Sequence, residues 1–163
     1  MSDTSALDEE IWGWLVELIK AAHEMDAEVF QARLRSFADE VTPAGQHRAG
    51  PFLWYLLRNA LGGKVGGRVP TDAELELISH DYSVKFGALV NADRTILEDT
   101  FRSVFERVPL KKEISAAELM VLAPPALGVL YDDPDAELGR MKPHLDKWWQ
   151  KYSEKLRSQG LIK

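Results

Sequence analysis

Thr71-Asp72-Ala73-Glu74-Leu75-Glu76-Leu77-Ile78-Ser79-His80-Asp81-Tyr82-Ser83-Val84-Lys85-Phe86-Gly87-Ala88-Leu89 decides the fold class. Thr71 and Glu74 have the spacing of a capping box, in which a hydroxyl and a carboxylate satisfy each other's backbone N–H groups at the start of a helix. Leu75, Ile78, Tyr82, Phe86 and Leu89 then recur at three and four positions, which aligns them on one helical face. Leu77, Val84 and Ala88 form a second, weaker stripe. The same signals recur in both directions along the chain and strand-like alternation is almost absent. The reading is an all-α, single-domain bundle of six to eight helices spanning residues 1–163.

Downstream, Asn91 or Asp93 opens a fifth helix with Ile96, Leu97, Phe101, Val104, Phe105 and Val108 inward and Pro109 beyond its end. Ser115 and Glu118 form a second capping box, and Pro124-Pro125 are expected to interrupt the sixth helix that follows. Asp133-Pro134 supplies a cap and a first-turn proline for a long amphipathic C-terminal helix. Its inward residues are Leu138, Met141, Leu145, Trp148 and Tyr152, with Leu156 a heptad beyond Trp149, and Pro143 predicts a kink or a division.

Upstream, the four glycines of Gly62-Gly63-Lys64-Val65-Gly66-Gly67-Arg68-Val69-Pro70 predict a flexible loop, because glycine costs backbone entropy inside a regular element. Before it, Gln46–Leu61 reads as a third helix, with Pro51 in its first turn or at a kink. Phe52-Leu53-Trp54-Tyr55-Leu56-Leu57 has no polar face, which places residues 51–61 at the centre of the bundle. Asp26 caps a second helix, whose stripe of Val29, Phe30, Leu34, Phe37 and Val41 ends at Thr42-Pro43. The first helix opens near Ser5 and Asp8 and carries Leu7, Ile11, Leu15, Leu18 and Ala22, with Trp12 and Trp14 at its edges. The first two helices are expected to form an antiparallel hairpin.

Composition bounds the function. The chain has 163 residues, a formal charge of −6 and no cysteine, which excludes disulfides and thiol chemistry. At this size a domain buries roughly 70% of its unfolded surface, so the sequence implies no cofactor for folding. The longest nearly apolar stretch, Met120–Tyr131, is far shorter than the roughly 20 residues that span a bilayer. The acidic N-terminus lacks the basic start and apolar centre of a signal peptide, so a cytoplasmic location is expected. Residues 1–40 carry −7, residues 41–137 carry −4 and residues 138–163 carry +5. Overall acidity argues against nucleic acid as a partner, leaving only the basic tail as a local exception.

Few residues point to chemistry. Gly62-Gly63-Lys64 lacks the preceding strand and the following Ser or Thr of a phosphate-binding loop. Asp133, Asp135 and Glu137 alternate as in a calcium loop, but Leu138 and His144 stand where glycine and glutamate are required. The four histidines fall on four different predicted segments. Glu76 and His80 are one turn apart with Asp81 beside them, which makes these three the candidate metal ligands. No Gly-x-Ser-x-Gly elbow is present and no catalytic motif is found, so enzymatic activity is left open.

The aromatic residues say more. Five tryptophans are present, and Trp148 and Trp149 point about 100° apart on a helix, so one must lie at the edge of the stripe. Lys142, Lys147, Lys151, Lys155 and Arg157 border them. The favoured arrangement closes this basic helix against the acidic first helix, with peripheral membrane contact as the weaker option. The expected function is contact with a protein partner or a second copy, through Trp12, Trp14, Trp148, Trp149, Lys151 and Tyr152. The alternative is a small-molecule or metal-binding bundle whose pocket lies between helices three and four. There the Phe52–Leu57 helix would face Glu76, His80, Asp81 and Tyr82.

Overall fold

The structure, a computed structural model, describes residues 3–105 and 114–160. Seven helices are present among the described residues: α1 (Asp3–His23), α2 (Ala27–Glu40), α3 (Pro43–Gly63), α4 (Asp72–Val90), α5 (Arg94–Ser103), α6 (Ala116–Leu130) and α7 (Pro134–Ser158). The all-α reading holds. Both capping boxes are formed, at Thr71–Glu74 and at Ser115–Glu118. Asp93 starts α5, its carboxylate accepting from the Ile96 N–H. That helix ends at Ser103, earlier than its apolar spacing predicts, and Val108 and Pro109 lie outside the described residues.

Across the Glu24–Asp26 turn, Trp14 meets the edge of Phe37 and Glu17 pairs with Arg33, so α1 and α2 run antiparallel. No helix among the described residues is long and apolar enough to cross a membrane.

α3 packs on α1, α5, α6 and α7 with Phe52, Leu53, Leu56, Leu57 and Leu61 buried, and α6 joins it at the centre of the bundle with a longer continuous buried run. Every residue from Leu122 to Leu130 is buried, and α6 packs on α1, α3, α4 and α5. Pro124 and Pro125 do not interrupt it. Each proline withholds one N–H, so the Met120 and Val121 carbonyls lose their helical donor, a defect that costs about 3 kcal/mol in an isolated helix. Burial on four neighbouring helices outweighs that cost. Glycine permits the closest approach: a Cβ at Gly128 would stand 2.5 Å from the Ala22 Cβ and 2.8 Å from the His23 backbone nitrogen. At the same crossing His23 Nδ1 lies 3.0 Å from the Gly128 carbonyl, which can only accept, so Nδ1 carries the proton.

The helices α3 and α7 likewise run on through Pro51 and Pro143, so α7 is one helix and not two. α3 starts at Pro43, capped by Thr42, and its buried residues occupy only part of its circumference. Leu77, Val84 and Ala88 of α4 face outward, Leu77 and Val84 being 61% and 83% exposed.

The glycine-rich connector closes on the end of α3. The Gly67 N–H donates to the Gly62 carbonyl at 2.8 Å, and Gly66 and Gly67 take positive φ values of 78° and 88° that a side chain would strain. Arg68 then grips Glu74 with both terminal nitrogens. That guanidinium, aided by the Thr71 N–H, holds the Glu74 carboxyl at about 2. Its folded value lies below the ordinary 4.5, so the link stabilises fully above that range and is lost as pH falls toward about 2. Glu74→Gln is therefore expected to lower stability at neutral pH and to have no effect at pH values below about 2. Arg68→Ala should move the Glu74 titration upward in carboxyl NMR. A carboxyl that already titrates in the ordinary range in the unaltered protein would show that the link is not formed.

Candidate ligand-binding cleft

A cavity of about 870 Å³ opens between α3, the N-terminal half of α6 and the C-terminal half of α7. Its α7 wall is Trp148 and Tyr152, which succeed each other by one helical turn and whose rings stack at 4.9 Å and 11°. Trp54 of α3 adjoins this wall, its ring stacked on Trp148 at 5.9 Å and 21°. Tyr55 backs Trp148 at 4.7 Å, and Arg58 lies over the Trp54 ring at 5.3 Å. Stacking fixes the ring planes, so these side chains form a preset aromatic wall. Leu119 and Met120 of α6 supply the aliphatic side.

Polar groups are few. Gln46, His47 and Tyr152 stand around the aromatic walls, and the Gln46 amide nitrogen already donates to the Ala38 and Val41 carbonyls. Pro51 has no N–H to offer the His47 carbonyl, and Pro124 has none for Met120. Two lining residues thus carry carbonyls released from their helical donors. Gly50 opens the space: a Cβ there would meet nothing within 4 Å.

The residues expected at the surface divide between wall, core and edge. Trp148 and Tyr152 line the cleft and Lys151 is exposed beside them. Trp149 is buried, which removes it from any surface: it packs edge-on against Phe52 at 5.1 Å and donates to Asp8 at 3.0 Å. Trp12 and Trp14 are half-buried, Trp12 under the Lys142 ammonium and Trp14 against Phe37. Lys142 also pairs with Glu9 at 2.8 Å, so the basic last helix does close against the acidic first one.

Asp8 is the residue that sequence reasoning missed. Its spacing from Ser5 reads as part of a cap, yet it lies inside α1 and joins three helices. One carboxylate oxygen accepts from Arg48 Nε of α3 at 2.6 Å, and the other from Trp149 Nε1 of α7 at 3.0 Å. This junction seats α7 on α3, and so fixes the spacing of Trp148 from Trp54.

The site expected between helices three and four is replaced by α6, which packs on both. Phe52 and Leu53 are buried, while Trp54 and Tyr55 face α7 instead of α4. Glu76, His80 and Asp81 are exposed on α4. Arg94 of α5 lies 3.4 Å from both the Glu76 carboxylate and His80 Nδ1, so a guanidinium occupies the space between these two groups. Among the described residues no group of three His, Cys, Asp or Glu side chains has metal-holding proximity.

A second cleft, about 550 Å³, lies at the other end of α3 and is more polar. Its cations are partly engaged, Arg68 by Glu74 and Arg58 by the Val104 carbonyl, and Asp132 and Glu137 share its lining. Tyr131 also borders it, with a buried hydroxyl that has no hydrogen-bond partner among the described residues and a phenol pushed above its ordinary pKa by burial. No protein-family model matches the chain, and neither a curated protein nor a solved structure does.

Proposed function

We propose that the protein is a small-molecule-binding bundle whose ligand has a flat apolar body held in the α3–α6–α7 cleft. The observation that carries this reading is the preset stack of Trp54, Trp148 and Tyr152 along a cavity of about 870 Å³. Ligand sites typically occupy roughly 300–1,000 Å³, with mostly apolar walls and a few placed polar groups. A water-filled cleft of this composition leaves aromatic area wet, and an apolar ligand stabilises the complex by removing it from water. Protein contact, the other reading of the aromatic surplus, has less free surface to use, since Trp149 is buried and Trp12 and Trp14 are packed at their edges.

The test uses 2-naphthamide, a neutral flat probe, followed by tryptophan fluorescence and by protein NMR shifts. Saturable binding that perturbs the Trp148 indole is expected. Gly50→Leu should fill the cleft without touching the core and abolish the binding, while helix propensity leaves the melting temperature unchanged or slightly raised. Absence of saturable binding in the unaltered protein, or equal binding by Gly50→Leu, would refute the reading.

A further inference from the structure

The cleft has one charged side. Trp148 and Tyr152 form its α7 wall, and Lys151 and Lys155 follow them by three residues each, which puts the two lysines along the outer edge of that wall. His144, four residues before Trp148, stands on the same edge. All three are exposed. Among the described residues neither lysine forms an ion pair with a carboxylate, a state they share with Arg35, Arg58, Lys64, Lys85, Arg140 and Lys147, but only these two follow the residues of the cleft's aromatic α7 wall by one turn. Among the same residues no carboxylate lines the cleft. In a chain of net charge −6 these two cations beside an apolar cavity are a local reversal of sign.

We infer that the ligand is an amphipathic acid, its apolar body against Trp54, Met120 and Trp148 and its carboxylate at the Lys151–Lys155 edge. The inference rests on the cleft being a ligand site and adds the charge of the ligand. Lysine suits this position because a long apolar stem carries its ammonium to the water boundary. The exposed edge limits each charge contact to the modest strength of a surface ion pair, so charge selects among ligands while the apolar walls retain them.

Three probes with one ring system separate these contributions: 2-naphthoate, 2-naphthamide and 2-naphthylmethylammonium, titrated under identical low-salt conditions. The expected order is naphthoate tightest, about fivefold tighter than the amide, and the ammonium weakest. Lys151→Ala with Lys155→Ala should remove the naphthoate advantage and leave naphthamide affinity unchanged. Both side chains are exposed and outside the ion pairs of the described residues, so the variant should keep its fold, checked by its melting temperature. High salt should compress the same advantage. Equal affinities for all three probes, a preference for the ammonium, or an advantage that survives loss of both lysines would overturn the charge assignment and leave the cleft standing. Failure of all three to bind would instead remove the binding-bundle reading itself, and this inference with it.

Discussion

Gly128→Ala is expected to destabilise the protein by about 2–3 kcal/mol, and Gly128→Val by more. The added Cβ meets backbone, the His23 nitrogen at 2.8 Å and the Ala22 carbonyl carbon at 3.0 Å, besides the Ala22 methyl. No side chain can rotate away to make room. α6 must retreat from α1, lengthening the His23–Gly128 hydrogen bond and loosening the packing of Leu122–Leu130 on their four neighbours. Alanine's better helix propensity offsets only about 1 kcal/mol. Gly13→Ala in α1 and Gly139→Ala in α7 are matched controls, since a Cβ at either has nothing within 4 Å. They should be neutral or stabilising. Urea unfolding of the three variants decides the matter: if Gly128→Ala costs no more than the controls, the close α1–α6 crossing is wrong.

Asp8→Ala is expected to cost about 2–3 kcal/mol. Removing the carboxylate strands the Arg48 guanidinium, whose side chain is only 13% exposed, and leaves the Trp149 indole N–H without its acceptor. Breaking a fully buried pair costs about 3–5 kcal/mol, and the 19% exposure of Asp8 reduces that figure. An acid that only favoured the helix N-terminus would contribute at most about 1 kcal/mol, so the size of the loss separates the two roles. Asp8→Asn, which keeps a carbonyl acceptor, should lose less. A double-mutant cycle with Arg48→Ala measures the coupling, and additive losses would show that the two residues do not interact. Because the junction spaces α7 from α3, the same variant should weaken naphthamide binding in proportion to the disturbance of Trp148.

What the sequence made legible was local. The capping boxes at Thr71 and Ser115, the Asp26, Asp93 and Asp133 caps and the helical stripes depend on residues within a turn or two of each other. The burial of α6 was also encoded, since Leu122–Leu130 contains no polar side chain, but two prolines weighed as breakers concealed it. Proline rules describe a helix in water, whereas here four neighbouring helices determine the backbone. The Asp8 junction was beyond reach, because its partners are 40 and 141 residues away and nothing in the carboxylate's immediate neighbourhood names them. The cleft was half visible: Trp148, Lys151 and Tyr152 stood out as edge residues, yet Trp54 and Met120 join them only through the packing order of α3, α6 and α7.

The position of α6 in the chain has a consequence for synthesis. The core is organised around a segment that follows more than a hundred residues of the polypeptide, and α1, α3, α4 and α5 each present a face to it. At about 5–20 residues per second, a ribosome exposes those faces for seconds before residues 116–130 emerge. During that interval α2 and α3 can pack on α1, and α4 on α5, but the faces that α6 covers stay open until it arrives.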